Sequence, residues 1–310
     1  MPDASSQEAR MREIARRWLG AGEVRYVIGY SAGRGNVARP AFARKAEDAD
    51  RLVWNPTCVN NLTLYLREEM LRKPAKGETP DPRPIGIVVK PCDSKALVEL
   101  VKEHIVDRAR VRVIGLTCEG VCDPKKLVGT ERTPPAVAEG TIADKCGVCR
   151  THNPPMADEV VGEEVPEVAA DNDYPDVAEL EAMSPAERWA YWERQLTRCV
   201  RCYGCREVCP LCYCAECVFE REKPFRWNER TVQLPENLWY HAVRAMHLAG
   251  RCVDCGECER VCPMDIPIRK MNRFLEKRAR ERYGVEAGLR AEDQPMFGTC
   301  DVDDPEEFIW

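Results

Sequence analysis

The sequence predicts an α/β N-terminal domain built on a parallel sheet, followed by a mainly helical domain, α+β overall. Three observations carry that reading. Between about Val24 and Asp123, short β-branched runs alternate with a segment of helical period. From Ala186 onward the apolar pattern is helical. The 18 cysteines are also not scattered, since thirteen of them fall between Cys146 and Cys262 in tight runs.

The opening segment MPDASSQEARMREIARRWLG reads as an amphipathic helix, with Met11, Ile14 and Trp18 on one side. VRYVIGY is the first strand-like run. RPIGIVVK is the second, and it leads through PCDS into ALVELVKEHIV. That segment sets Leu97, Leu100, Val101, His104 and Ile105 on one helical face, with Asp93 or Ser94 to cap its first turn. RVRVIGL is the third run and ends at a cysteine. Strand, helix, strand in this order predicts a parallel sheet. Between Arg150 and Arg188 no Lys or Arg occurs while Asp, Glu and Pro are frequent, so an extended acidic connection is expected over 130–185. AERWAYWERQLTRC, NLWYHAVRAMHLAGRC and IRKMNRFLEKRARERYG are the helical stretches that follow. The expected division is 1–129, 130–185, 186–285 and a tail over 286–310.

Composition narrows the classes. The chain has 310 residues, 44% hydrophobic and 32% charged, with a net charge of −6. A nucleic-acid binder needs a basic face, which this balance argues against. No apolar run approaches the length of a membrane span, and the N-terminus has no apolar signal region. A cytoplasmic setting with reduced thiols is expected, in which close-set cysteines are metal ligands rather than disulfides.

Two runs share one spacing. Cys199-x-x-Cys202-x-x-Cys205-x-x-x-Cys209-Pro210 is repeated as Cys252-x-x-Cys255-x-x-Cys258-x-x-x-Cys262-Pro263. Three thiolates at i, i+3 and i+6 can converge on three irons of one cubane, and in two-cluster proteins the fourth cysteine reaches across to the other cluster. The expected ligand sets are therefore Cys199, Cys202, Cys205 and Cys262 for one 4Fe-4S cluster, and Cys252, Cys255, Cys258 and Cys209 for the other. Structural zinc, which takes two well-separated pairs of ligands, suits this pattern poorly. The helical domain is thus expected to be a two-cluster ferredoxin domain.

Ten cysteines remain. Cys92, Cys118 and Cys122 sit where strands run into loops, where sites in α/β sheets collect, and Cys58 can join them. That grouping predicts a further 4Fe-4S cluster, against the plainer reading as small buried hydrophobes. Cys146 and Cys149, with two of Cys212, Cys214 and Cys217, make a possible fourth site, for which a cluster, zinc and unmetallated thiols stay open. Cys300 stands alone. Gly33 and Gly35 lie in a glycine-rich turn after the first strand; with Lys90 and Ser94 they are candidate residues for a cofactor phosphate.

K-P-C-D-S-K-A-L after one strand and G-L-T-C-E-G-V-C after the next resemble the β-subunit family of deazaflavin-coenzyme-reducing hydrogenases and formate dehydrogenases. R-C-V-R-C-Y-G-C-R-E-V-C-P-L-C-Y-C-A-E-C looks like the ferredoxin part of the formate dehydrogenase branch. The long gap from Cys209 to Cys252, with a helix in its second half, resembles the α-helical ferredoxin of heterodisulfide reductase C-type subunits and of the succinate dehydrogenase iron–sulfur subunit. The resemblance covers roughly residues 24–125 and 195–270. It implies FAD and a cluster near Cys92, Cys118 and Cys122. It also implies partner subunits of a formate dehydrogenase, hydrogenase or heterodisulfide-reductase-like complex. Here, however, the ferredoxin motifs follow the α/β part, whereas in those hydrogenase subunits they precede it. The expected function is single-electron relay within a multisubunit oxidoreductase. Its rivals are a self-contained flavin reductase oxidising NAD(P)H or a deazaflavin coenzyme, a flavin-free adaptor, and a structural zinc–iron scaffold.

Overall fold

The computed structural model describes residues 4–34, 37–77, 79–127, 140–166, 174–222 and 226–296. The chain opens with helix α1 (Ala4–Gly20), whose stripe of Met11, Ile14, Ala15 and Trp18 is fully buried. Burying side chains of this size contributes about 1.5–3 kcal/mol each. Strands β1 (Val27–Ser31), β3 (Ile85–Val89) and β4 (Val111–Leu116) are the three apolar runs read from the sequence. They lie side by side in parallel, as strand-helix-strand connections dictate.

Two edge strands complete a five-stranded sheet of order β2-β1-β3-β4-β5. β2 (Arg39–Ala43) pairs antiparallel with β1, and β5 (Glu159–Val161) pairs parallel with β4. The second of these corrects the expected connection over 130–185. Residues 140–166 return to the sheet, where Asp158 N donates to Val113 O at 2.9 Å and Cys118 N to His152 O at 2.9 Å.

Helix α2 (Thr63–Leu71) packs on β3 and on α3 (Pro91–Lys102). α3 begins earlier than the sequence suggested. Pro91 occupies its first turn, where the missing N–H costs nothing, and Asp93 accepts from the Lys90 N–H as the third residue of a capping box. It also ends sooner, because His104 turns left-handed at φ 58° and leaves the helical face.

The C-terminal part is helical, as expected: α4 (Pro175–Ala182), α5 (Pro185–Thr197), the short α6 (Gly204–Glu207), α7 (Leu234–His247), the short α8 (Glu257–Arg260) and α9 (Ile268–Tyr283). Ser184 caps α5 in a capping box with Glu187, and Gly284 closes α9 in the left-handed conformation. α7 packs against α5 and α9, and α6 against α8. Cys209, Leu211, Leu248 and Val253 join the same apolar core as the sheet, so the two halves share one interior. Among the described residues no helix is long and apolar enough to cross a membrane.

Candidate iron–sulfur centres

The two cysteine runs fold alike. In the first, Arg201 and Tyr203 are left-handed at φ 47° and 60°; in the second, Asp254 and Gly256 occupy the same motif positions at φ 55° and 70°. Three of these four are not glycine, a conformation that costs on the order of 1 kcal/mol per residue and collects at functional sites. Alternating the backbone hand turns successive N–H groups toward one concavity, which suits an anionic guest. Arg201 N already donates to Cys199 Sγ at 3.3 Å, and Ile266 N to Cys262 Sγ at 3.5 Å. Each wrap runs into a single helical turn, α6 or α8, and the fourth cysteine emerges past it.

Because α6 and α8 pack together, the fourth cysteines cross. Cys262 lines one cavity with Cys199, Cys202 and Cys205. Cys209 lines the other with Cys252, Cys255 and Cys258. Helix α7 supplies most of the polar neighbours. His241 Nε2 lies 3.3 Å from Cys199 Sγ, and Tyr240 Oη 3.7 Å from Cys205 Sγ. Burial, with Arg244 beside it, pulls His241 down to about 4, so the ring is neutral. From α9, Asn272 Nδ2 faces Cys258 Sγ at 3.9 Å. Arg244 is buried, and its Nη2 donates to Cys205 O at 2.9 Å. Burial works against its charge, and the sulfurs of Cys209, Cys212 and Cys258 more than restore it. Burial pushes the Cys258 thiol up to about 12, with the Arg244 guanidinium beside it acting the other way.

A third cavity is lined by Cys92, Cys118, Cys146 and Cys149, with Lys90 and Lys145. Cys92 stands in the first turn of α3 past β3, and Cys118 just past β4, as the strand-exit argument required. The grouping corrects the sequence reading. Cys146 and Cys149 complete this quartet instead of joining Cys212, Cys214 and Cys217. Cys58 and Cys122 do not line it. Cys58 is fully buried, accepts from Asn55 N at 3.5 Å and faces Val53 O at 3.7 Å; burial pushes it up to about 12. Cys122 is buried against Thr141 Oγ1 at 3.5 Å and bridges to Ile142, which anchors the loop that carries Cys146.

Cys212, Cys214 and Cys217 instead line a wide cavity of about 1280 Å³, with Tyr213, Tyr240 and Arg244. Cys300 lies outside the described residues. Among the described residues no three His, Cys, Asp or Glu side chains gather around a point fit for one metal ion. Each quartet lines a single cavity.

The residues expected at a flavin phosphate do not fit one. Lys90 is buried, and its ammonium is taken up by Asp93 at 2.8 Å, Asn60 O at 2.7 Å and Tyr30 Oη at 2.5 Å. Ser94 holds both the N–H and the carbonyl of Met156, at 2.8 and 2.9 Å. A Cβ at Gly33 would meet Val37 O at 2.2 Å, so this turn is closed on itself. Gly35 lies outside the described residues. Sequence reasoning missed Lys145, Asp254, His241 and Arg244. For the last two a signal existed, since positions 240, 241 and 244 share a face of α7.

Residues 198–267 match the model of a 4Fe-4S dicluster domain, which defines the class of the C-terminal part. Over 107 residues the chain is 36% identical to F420-dependent formate dehydrogenase subunit beta of Methanocaldococcus jannaschii, covering 34% of this chain and 27% of that one. The chain thus matches only about a quarter of that relative's length. It is 26% identical to F420-dependent formate dehydrogenase 1 subunit beta of Methanococcus maripaludis over 296 positions, covering 69% of this chain and 75% of that one. A chain of the F420-reducing NiFe hydrogenase complex from Methanosarcina barkeri aligns at 14% identity and a TM-score of 0.33, over 46% of this chain and 59% of that one, too slight a likeness to carry argument. Over part of its length the chain is thus similar to β subunits of F420-dependent formate dehydrogenases, and its C-terminal part to a 4Fe-4S dicluster domain.

Proposed function

We propose that the chain is an electron-transfer subunit that relays single electrons through three 4Fe-4S clusters, between a formate dehydrogenase- or hydrogenase-type catalytic partner and a carrier, in the cytoplasm. The ligand sets are Cys199, Cys202, Cys205 and Cys262 for the first cluster, Cys209, Cys252, Cys255 and Cys258 for the second, and Cys92, Cys118, Cys146 and Cys149 for the third. The observation that carries this reading is the shared wall: Asp254 lines both the third and the second cavity, and Arg244 of the second reaches the Cys205 carbonyl beside the first. Three centres joined in this way form a wire. Their potentials are set by charge, hydrogen bonds and exposure, and electron exchange needs no acid or base. The partner is inferred from the relatives' names.

No step here runs through a flavin. Iron and acid-labile sulfide on anaerobically purified protein test the reading. About twelve irons per chain support it, and about eight would confine the relay to the C-terminal pair. Bound FAD together with diaphorase activity in the isolated chain would favour the self-contained reductase instead.

A further inference from the structure

Asp254 lines both the third and the second cavity, and Lys145 lines the third while reaching a backbone carbonyl of the second set of cysteines. Asp254 is neutralised: Arg269 Nη2 donates to its carboxylate at 2.9 Å, and Arg273 pairs with it as well. Lys145 is not. Its side chain runs along Gly256, where an added Cβ would lie 2.7 Å from Lys145 Cδ, and its ammonium donates to the Cys255 carbonyl at 2.6 Å. The left-handed glycine, φ 70°, therefore also makes room for the lysine. Two lysines line the third cavity. Lys90 has Asp93 as counter-charge at 2.8 Å. Nearby Glu257 is held by Arg260 at 2.7 Å. Among the described residues, Lys145 is the cation lining this cavity that has no carboxylate partner.

We propose that Lys145 is a positioning and potential-setting residue shared by two centres, its ammonium favouring the reduced third cluster while its hydrogen bond to Cys255 O ties that charge to the second. The inference rests on the third cluster of the proposed function. When an electron arrives, no bond breaks and no proton moves. The negative charge of the cluster grows by one, and a fixed cation at its wall offsets it. The third cluster is thereby held at a higher potential than its cysteines alone would give, which biases where an electron rests along the wire.

The test is a redox titration followed by electron paramagnetic resonance on the full chain, wild type against Lys145→Gln, Lys145→Arg and Lys145→Met. Gln keeps a donor for Cys255 O and loses the charge; Arg keeps the charge. The expected result is one centre that becomes harder to reduce in Lys145→Gln, by on the order of tenfold in its reduction equilibrium (~59 mV for one electron), with Arg near wild type. Loss of the third cluster in Lys145→Met alone, with Gln shifted as stated, agrees with the proposal. An unshifted Gln variant that keeps all its iron overturns it. So does loss of the third cluster in both Gln and Arg, which would make the residue purely structural. A wild-type chain with only about eight irons refutes the third cluster itself, before any variant is read.

Discussion

The crossing of the fourth cysteines can be tested by counting iron in double variants. Cys209 belongs by sequence with Cys199, Cys202 and Cys205, but its side chain lines the cavity of Cys252, Cys255 and Cys258. Removing any one ligand by Cys→Ala should cost its cubane, about four irons. Starting from about twelve, Cys209→Ala with Cys255→Ala strikes one cluster twice and should leave about eight. Cys209→Ala with Cys202→Ala strikes two clusters and should leave about four. Ligation within each run predicts the reverse order, so the two readings differ by about four irons in opposite directions. Cys262→Ala paired with Cys202→Ala or with Cys255→Ala gives the mirror experiment. The assay is iron and acid-labile sulfide per chain under anaerobic purification, with circular dichroism to confirm retained helix. Finding less iron in the Cys209/Cys255 variant than in the Cys209/Cys202 variant would refute the crossed geometry.

Other outcomes follow from single contacts. Cys149→Ala should remove about four irons, whereas Cys58→Ala should leave the iron count intact and cost about 1 kcal/mol of stability, measured by denaturant unfolding. His241→Phe removes the donor 3.3 Å from Cys199 Sγ; at about 1 kcal/mol it should lower the first cluster's potential by ~40 mV, and an unchanged titration would mean the ring does not donate. Burial, then the Asp254 carboxylate, push Glu276 up to about 7 from an ordinary 4.5. A folded value above the unfolded one means that its contribution is complete below 4.5 and is lost as pH rises through about 7. Unfolding midpoints should therefore fall over that window, and Glu276→Gln should flatten the fall.

How much of this was legible in the sequence depended on how local each signal was. The motif cysteines are read directly, because three ligands of each cubane come from seven consecutive residues and the turn that aims them is built from the same residues. β3 and β4 were legible as continuous apolar runs, since a strand inside a parallel sheet is covered on both faces. β2 escaped notice because RPAFA is a largely exposed edge strand that carries a proline. β5 is three residues long, and only its last is buried. The missed β5 cost more than a strand. With residues 140–166 taken as a solvated connection, nothing placed Cys146 and Cys149 beside Cys92 and Cys118, and the reading grouped them instead with the distant Cys212, Cys214 and Cys217. Lys90 and Ser94 misled for a related reason. Each looked free to meet a phosphate, but their partners Asn60 and Met156 lie 30 and 62 residues away.

The α/β half does more than carry a third set of thiols. Cations on three of its segments reach backbone carbonyls of motif cysteines: Arg67 of α2 donates to Cys209 O at 2.7 Å, Lys145 to Cys255 O at 2.6 Å and Lys125 to Cys262 O at 3.4 Å. Arg67 adds Cys212 O at 2.9 Å. A carbonyl that faces a cation would be less able to repel the negative charge a bound cluster gains on reduction, so these contacts are placed to tune the ferredoxin half from outside it. They fall on both fourth cysteines and on the middle cysteine of the second run. Cys202, the middle cysteine of the first run, is instead exposed, next to a Val200 that is 50% exposed. The first centre therefore meets solvent at Cys202, while the second is enclosed between the sheet and α7. In the proposed relay, electrons moving between the third and the first centre would pass the enclosed one, and Arg67, Lys125 and Lys145, which reach its cysteines and their neighbours, are contributed by the half of the chain that lies outside the dicluster domain.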